Sequence, residues 1–161
     1  MKGTGESAIS AIVKARQSDG PYKDLFDLCL RVDKRIVNRR VMEALVRAGA
    51  FDSINDHRAS LLASVGIAIE AADQAERNAR QVSLFGGLDE AGQHRIELVS
   101  RPRWSEAERL QAEKAVLGFY YSGHPFSACR EEVRKFARVE LRSLVPAGEA
   151  DYGGRSQIVA G

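Results

Sequence analysis

No apolar run in this sequence approaches the ~20 residues that a membrane-spanning helix requires. Its first residues, Met1-Lys2-Gly3-Thr4-Gly5, have nothing of the apolar stretch of a secretory signal. Cysteine is scarce: Cys29 and Cys129 lie far apart with no CxxC spacing. That excludes a disulfide framework and points to a reducing, cytoplasmic setting. His57, His94 and His124 are scattered without ligand spacing, so no metal site is expected. A large charge of one sign is also missing, because the net charge of +2 is too small to announce a nucleic-acid binder by itself. What is present is 44% hydrophobic and 29% charged residues over 161 positions, the composition of a globular chain.

The distribution of charge says more than its sum. Between Arg31 and Arg47 there are six basic residues (Arg31, Lys34, Arg35, Arg39, Arg40, Arg47) against two acidic ones (Asp33, Glu43), a local surplus of four. Such a surplus suits phosphate contacts and a solvated helix face equally well.

Helical spacing dominates the first 80 residues. Ala8, Ile9, Ile12, Val13 and Ala15 predict a helix over 6–17, broken by Ser18-Asp19-Gly20-Pro21. Leu25, Phe26, Leu28, Cys29 and Val32 predict a second around 24–32, with Cys29 in the core and Asp24 and Asp27 solvated. Asn38 is placed to cap a third that carries Val41, Leu45 and Ala48 and stops at Gly49. Asp56 is placed to cap a fourth, with Leu62, Val65, Ile69 and Ala72 along it.

No sustained pattern runs from Val82 to Arg103. Ser105 and Glu108 then stand in capping-box spacing ahead of a helix with Leu110, Ala112, Leu117 and Tyr120. Pro125 stops it, and a further helix is expected over 127–136. Trp104, Tyr120 and Tyr121 fall on or beside this amphipathic helix and are expected to pack rather than stack on bases. Both ends read as truncated. The chain starts inside a hairpin and stops, after Ser156, on what reads as a first strand, as expected of part of a larger protein.

Two glycine turns carry chemistry. Lys2-Gly3-Thr4-Gly5-Glu6 runs straight into a helix, and its glycines permit a tight turn at the helix start. Unpaired N–H groups and the positive end of the helix dipole there suit a phosphate, though an ordinary turn into a helix has the same form. Arg47-Ala48-Gly49-Ala50-Phe51-Asp52, ahead of Arg58, is a second glycine turn between helices. The pair resembles a tandem helix–hairpin–helix, whose hairpins grip the two strands of a duplex through backbone phosphates. Lys2, Gly3, Thr4, Gly5, Glu6, Arg47, Gly49, Ala50, Phe51 and Arg58 are the candidate DNA-binding residues on that reading. Gly49 is the second hairpin's one glycine, a departure from the GxG form.

These turns occur in order with Gly20-Pro21-Tyr22-Lys23-Asp24-Leu25-Phe26-Asp27 and Val37-Asn38-Arg39-Arg40-Val41. Trp104-Ser105-Glu106-Ala107-Glu108 and Glu113 to Pro125 follow. The set resembles the region after the fingers of the bacterial replicative DNA polymerase III alpha subunit. The resemblance implies a mainly α fold. A tandem helix–hairpin–helix domain would cover 1–80, a flexible loop 81–103, a helical linker 104–137 and the start of a truncated OB-fold region 138–161. It implies a DNA-directed DNA polymerase whose magnesium-dependent catalytic carboxylates lie elsewhere, with no catalytic residue and no cofactor in this stretch.

The resemblance also implies an internal motif that binds the ring-shaped sliding clamp. Gln81, Val82, Ser83, Leu84 and Phe85 fit its pattern, with Val82 where leucine is more usual. Gln81 both donates and accepts hydrogen bonds, and Leu84 and Phe85 suit an apolar cleft. The plainer alternative is that the pair anchors its own core. Burying both side chains gives roughly 3–6 kcal/mol before ordering costs, against about 8 for micromolar binding. The motif is therefore expected to be a weak ligand whose effect depends on a tether to DNA. The implied partners are primed duplex DNA, the sliding clamp (the beta subunit) and, through other regions, further replisome subunits, with no membrane. Rival readings are the error-prone paralogue, to which Gln81 to Phe85 is foreign, a base-excision glycosylase, and a protein-interaction scaffold.

Overall fold

Short polar side chains start three α-helices of this chain, and glycines with positive φ end three. The structure, a computed structural model, describes residues 2–85, 97–137, 139–140 and 159–160. Helix α1, Glu6–Asp19, stops at Gly20 with φ +80°. Helix α2, Leu25–Arg31, starts where Asp24 Oδ1 accepts the Asp27 N–H at 2.8 Å. Helix α3, Arg39–Ala48, starts where Asn38 Oδ1 accepts from Val41 N–H at 3.2 Å. Removing a cap of this kind costs ~1 kcal/mol. Helix α5, Glu106–Leu117, carries the complete Ser105–Glu108 capping box and ends at Gly118, φ +91°. The hydrogen bonds from Ser105 hold the Glu108 carboxyl below its usual range.

Helix α4, Arg58–Phe85, departs from expectation at both ends. Asp56 does not cap it: the imidazole of His57 accepts the Ser60 N–H at 3.3 Å, while Asp56 pairs in bidentate fashion with Arg103 at 2.9 and 3.0 Å. At the other end the helix continues through Gln81–Phe85, which the sequence reading placed in a loop. The run from Ala71 to Arg80 contains no Gly or Pro, and the first residues able to break it are Gly86 and Gly87.

Two compact units make up the chain, Met1–Tyr121 and Ser122–Gly161. In the first, α2, α3 and α4 enclose Leu28, Cys29, Val41, Met42, Leu45, Val46, Val65 and Ala72. Burial pushes the Cys29 thiol up to about 12, so it stays protonated in the core. Helix α1 buries only Ala8 fully and lays Ala11, Ile12 and Ala15 partly on this core; Ile9 remains 40% exposed. The α1–α2 corner is held by Arg31, which donates to the carbonyls of Ala15 and Gly20, both at 2.8 Å, and stacks 4.4 Å from the Tyr22 ring.

Helix α5, read from sequence as linker, packs on α3 within this unit. The end of the expected 81–103 loop is likewise tied down. Leu98 packs on the core, and the Val99 N–H reaches Ser64 Oγ, itself bonded to the Ser60 carbonyl. Tyr121, expected to pack, is 73% exposed; Trp104 and Tyr120 are half-buried.

In the second unit, the helix expected over 127–136 is a 3-10 turn, Pro125–Cys129, followed by helix α6, Arg130–Phe136. His124 Nδ1 caps the turn by accepting from Phe126 N–H at 3.2 Å. Strands β1, Val139–Glu140, and β2, Val159–Ala160, pair in parallel. The rest of the expected β start over 138–161 lies outside the described residues, as do His94 and residues 86–96. The chain is mainly helical, and none of the described helices is long and apolar enough to cross a membrane.

Candidate nucleic-acid interface

The first hairpin turns at Gly3, whose φ of +84° lies in the left-handed region that glycine adopts without strain. Gly5 then stands at the N-cap of α1 with extended backbone and, having no side chain, supplies no cap. The first intrahelical bonds run from Ala8 and Ile9 to the Gly5 carbonyl. The N–H groups of Gly5, Glu6 and Ser7 therefore have no partner within the helix, at the positive end of a 14-residue dipole. Thr4 Oγ1 is also buried without a partner among the described residues. The turn is fastened to the first unit by the Lys2 N–H, which donates to the Val116 carbonyl of α5 at 2.7 Å. Lys2, Gly3, Gly5 and Glu6 are all exposed.

The second hairpin, between α3 and α4, is built differently. Gly49, φ +82°, closes α3 in a Schellman arrangement: its N–H reaches the Val46 carbonyl at 3.1 Å and the Ala50 N–H reaches Leu45 at 3.0 Å. Asp52, Ile54 and Asn55 also donate their N–H groups to carbonyls inside the turn. Phe51 is in the core and Arg58 is 4% exposed. The Arg58 guanidinium donates to both Asp52 oxygens, to Glu113 Oε1 at 2.9 Å and, at 3.4 Å, to the Arg47 carbonyl. Its hydrogen bonds with Asp52 raise its pKa further, against burial and with Glu113 adding to the effect. Neither Phe51 nor Arg58, both assigned to DNA from sequence, presents a side-chain surface to a phosphate. Ala50 is exposed, and Arg47 is half-buried with Nη2 3.3 Å from Glu43.

Neighbours also sort the basic run between Arg31 and Arg47. Arg31 serves the α1–α2 corner. Lys34 pairs with Asp73 at 2.6 Å and Glu76 at 3.2 Å, and Arg39 with Glu43 at 2.9 Å. The Arg39 hydrogen bond holds the Glu43 carboxyl below its usual range, against partial burial and with Arg47 assisting. Arg35 and Arg40 remain: both are exposed and make no side-chain hydrogen bond or ion pair among the described residues. Arg40 lies across the first hairpin, since a methyl group on Gly3 would stand 3.3 Å from its Nε.

Sequence reasoning missed Glu113. It is 0% exposed, holds Arg58 with one carboxylate oxygen and accepts the Tyr121 N–H at 2.9 Å with the other. Its place in the helical period, three residues after Leu110 and three before Val116, was the available signal. Gln81, Val82, Ser83, Leu84 and Phe85 form the end of α4, and their side chains lie outside the described residues. Among the described residues no three His, Cys, Asp or Glu side chains gather as a metal-ligand set.

Residues 1–61 match the helix-hairpin-helix motif family. Over 154 residues, 96% of its length, the chain is 47% identical to DNA polymerase III subunit alpha of Neisseria meningitidis serogroup B. It is 39% identical over 150 residues, 91% of its length, to the subunit of Escherichia coli K12. With that of Haemophilus influenzae it shares 38% identity over 165 aligned residues, 100% of its length. The chain spans only 13% of the length of the first two relatives and 14% of the third. It belongs, as a segment with a helix–hairpin–helix motif near its start, to the DNA polymerase III alpha-subunit family.

Proposed function

We propose that this chain is a duplex-gripping and clamp-tethering part of a replicative DNA polymerase, acting in the cytoplasm. The observation that supports the grip best is the first hairpin. Three N–H groups without a partner in the helix, a glycine turn and an exposed arginine meet where a phosphate would gain most from the helix dipole. Contacts of this kind hold DNA by its backbone and read no sequence. The polymerase as a whole would join nucleotides with magnesium at carboxylates elsewhere in its chain. This segment would bind and position.

The clamp reading rests on Gln81 to Phe85. These residues end α4 immediately before Gly86-Gly87, a sequence that lets the last helical turn unwind and present Leu84 and Phe85 to an apolar cleft. Burial of the two side chains supplies less than micromolar affinity needs, so the motif acts with the DNA grip through effective concentration. Other replisome subunits would bind outside this segment.

Titration of the chain against labelled primed duplex and against purified sliding clamp tests both parts. Duplex binding is expected to weaken as salt rises. The double substitution Leu84→Ala, Phe85→Ala is expected to abolish clamp binding while leaving duplex binding intact. Salt-insensitive duplex binding overturns the grip, and clamp binding that survives the double substitution overturns the tether.

A further inference from the structure

Both hairpins follow one plan: a glycine in the left-handed region with an arginine from another element lying across it, Arg40 at Gly3 and Arg58 at Gly49. The two guanidiniums have opposite surroundings. Arg58 is buried and saturated by Asp52, Glu113 and a backbone carbonyl. Arg40 is exposed and makes no ion pair or side-chain hydrogen bond among the described residues. The backbone divides the same way. Amides of the second hairpin are turned inward onto their own carbonyls, while those of Gly5, Glu6 and Ser7 point out of the start of α1.

We propose that the chain holds DNA asymmetrically. The first hairpin seats a backbone phosphate with Arg40 as its charged contact, and the second is a strut that fixes α3, α4 and α5 to one another. The inference rests on the duplex-binding reading above and departs from a symmetric two-hairpin grip. A guanidinium keeps its charge and offers five donors in a planar fork, which suits a phosphodiester oxygen pair. Among the described residues, Arg40 has no side-chain bond to break in order to make that contact. To reach a phosphate, Arg58 would have to abandon Glu113, taking its 2.9 Å hydrogen bond and its charge away from a carboxylate that is 0% exposed.

The test is fluorescence anisotropy of a labelled primed duplex with the 161-residue chain, over salt from about 50 to about 200 mM. Arg40→Ala is expected to weaken binding about five- to tenfold and to flatten the log–log salt slope by about 0.9, one phosphate's worth. Arg40→Lys keeps the charge and is expected to restore most of the slope. Arg80→Ala removes the same unit of charge from an exposed position on α4 and is expected to change neither quantity. Since Arg40 is on the surface, Arg40→Ala is expected to melt where the wild type does. Arg40→Ala binding with wild-type affinity and slope overturns the proposal alone. So does Arg80→Ala matching the loss at Arg40, or a fall in melting temperature that accounts for it. A wild-type chain with no salt-dependent duplex binding overturns this proposal together with the reading it rests on.

Discussion

At Gly3 the arginine that crosses the turn is exposed and has no ion pair among the described residues; at Gly49 it lies between two carboxylates, one of them wholly buried. The local sequences do not announce this difference, because each has a glycine turn with basic residues near it. What separates them is a residue far along the chain. Glu113, on α5, reaches back to Arg58 and turns a surface arginine into a core one. The first hairpin also touches α5, but through the Val116 carbonyl, which engages the Lys2 backbone and not the side chain of Arg40. On the proposal above, each hairpin of this chain serves as a grip or a strut according to whether a distant carboxylate reaches its arginine.

The largest effect expected from breaking this contrast is on stability. Arg58→Ala would leave Asp52 and Glu113 without their shared cation, and loss of one partner of a buried pair costs about 3–5 kcal/mol. Urea unfolding of this variant should show a much lower midpoint, whereas Arg40→Ala should not move it. Equal midpoints for the two variants would dissolve the distinction between strut and grip.

Next comes the glycine pair. Alanine at either turn meets a left-handed backbone, costing about 1–2 kcal/mol. At Gly49 the added methyl would also collide with the Arg58 guanidinium and stand 2.8 Å from Asp52 Oδ2. At Gly3 it would meet only the side chain of Arg40, at 3.3 Å, which is free to swing aside. Gly49→Ala should therefore lower the melting temperature more than Gly3→Ala, and Gly3→Ala should weaken duplex binding more for each degree lost. The reverse order would show that the first hairpin is the more tightly packed of the two.

The smallest expected effect is on acid stability. Glu43 lies between Arg39 and Arg47 on α3, and its folded-state pKa is depressed, first by the Arg39 hydrogen bond. A depressed carboxyl contributes stability that is full above its unfolded value, about 4.3, and is lost as pH falls through the lower folded value. The melting temperature of Glu43→Gln should converge on that of the wild type as pH falls below about 4 and lie beneath it at neutral pH. A constant gap across that range would assign the effect of the substitution to packing.

Much of the fold was legible because caps and breakers act within a few residues. Asn38, Ser105 with Glu108, Gly20 and Gly49 are all set by local geometry, and each stands where the pattern placed it. Asp56 misled because two acceptors, its carboxylate and the His57 imidazole, compete for one helix start. The choice fell to Arg103, 47 positions away, which holds the carboxylate. The 81–103 stretch misled for a related reason. Its first residues carry on the helix before them, and residues near its end are held by Ser64 and Asp56, whose approach no local pattern reveals.

By itself, the sequence determined the helices, most of their ends, the two glycine turns and the kinship with DNA polymerase III alpha subunits. All of these depend on neighbours along the chain or on residues aligned in order. Only the tertiary structure decided which arginines are free. Ion pairing is a matter of distance in space: Asp73, which pairs with Lys34, and Glu113, which draws Arg58 inward, stand 39 and 55 positions from them, and none reaches Arg40 among the described residues.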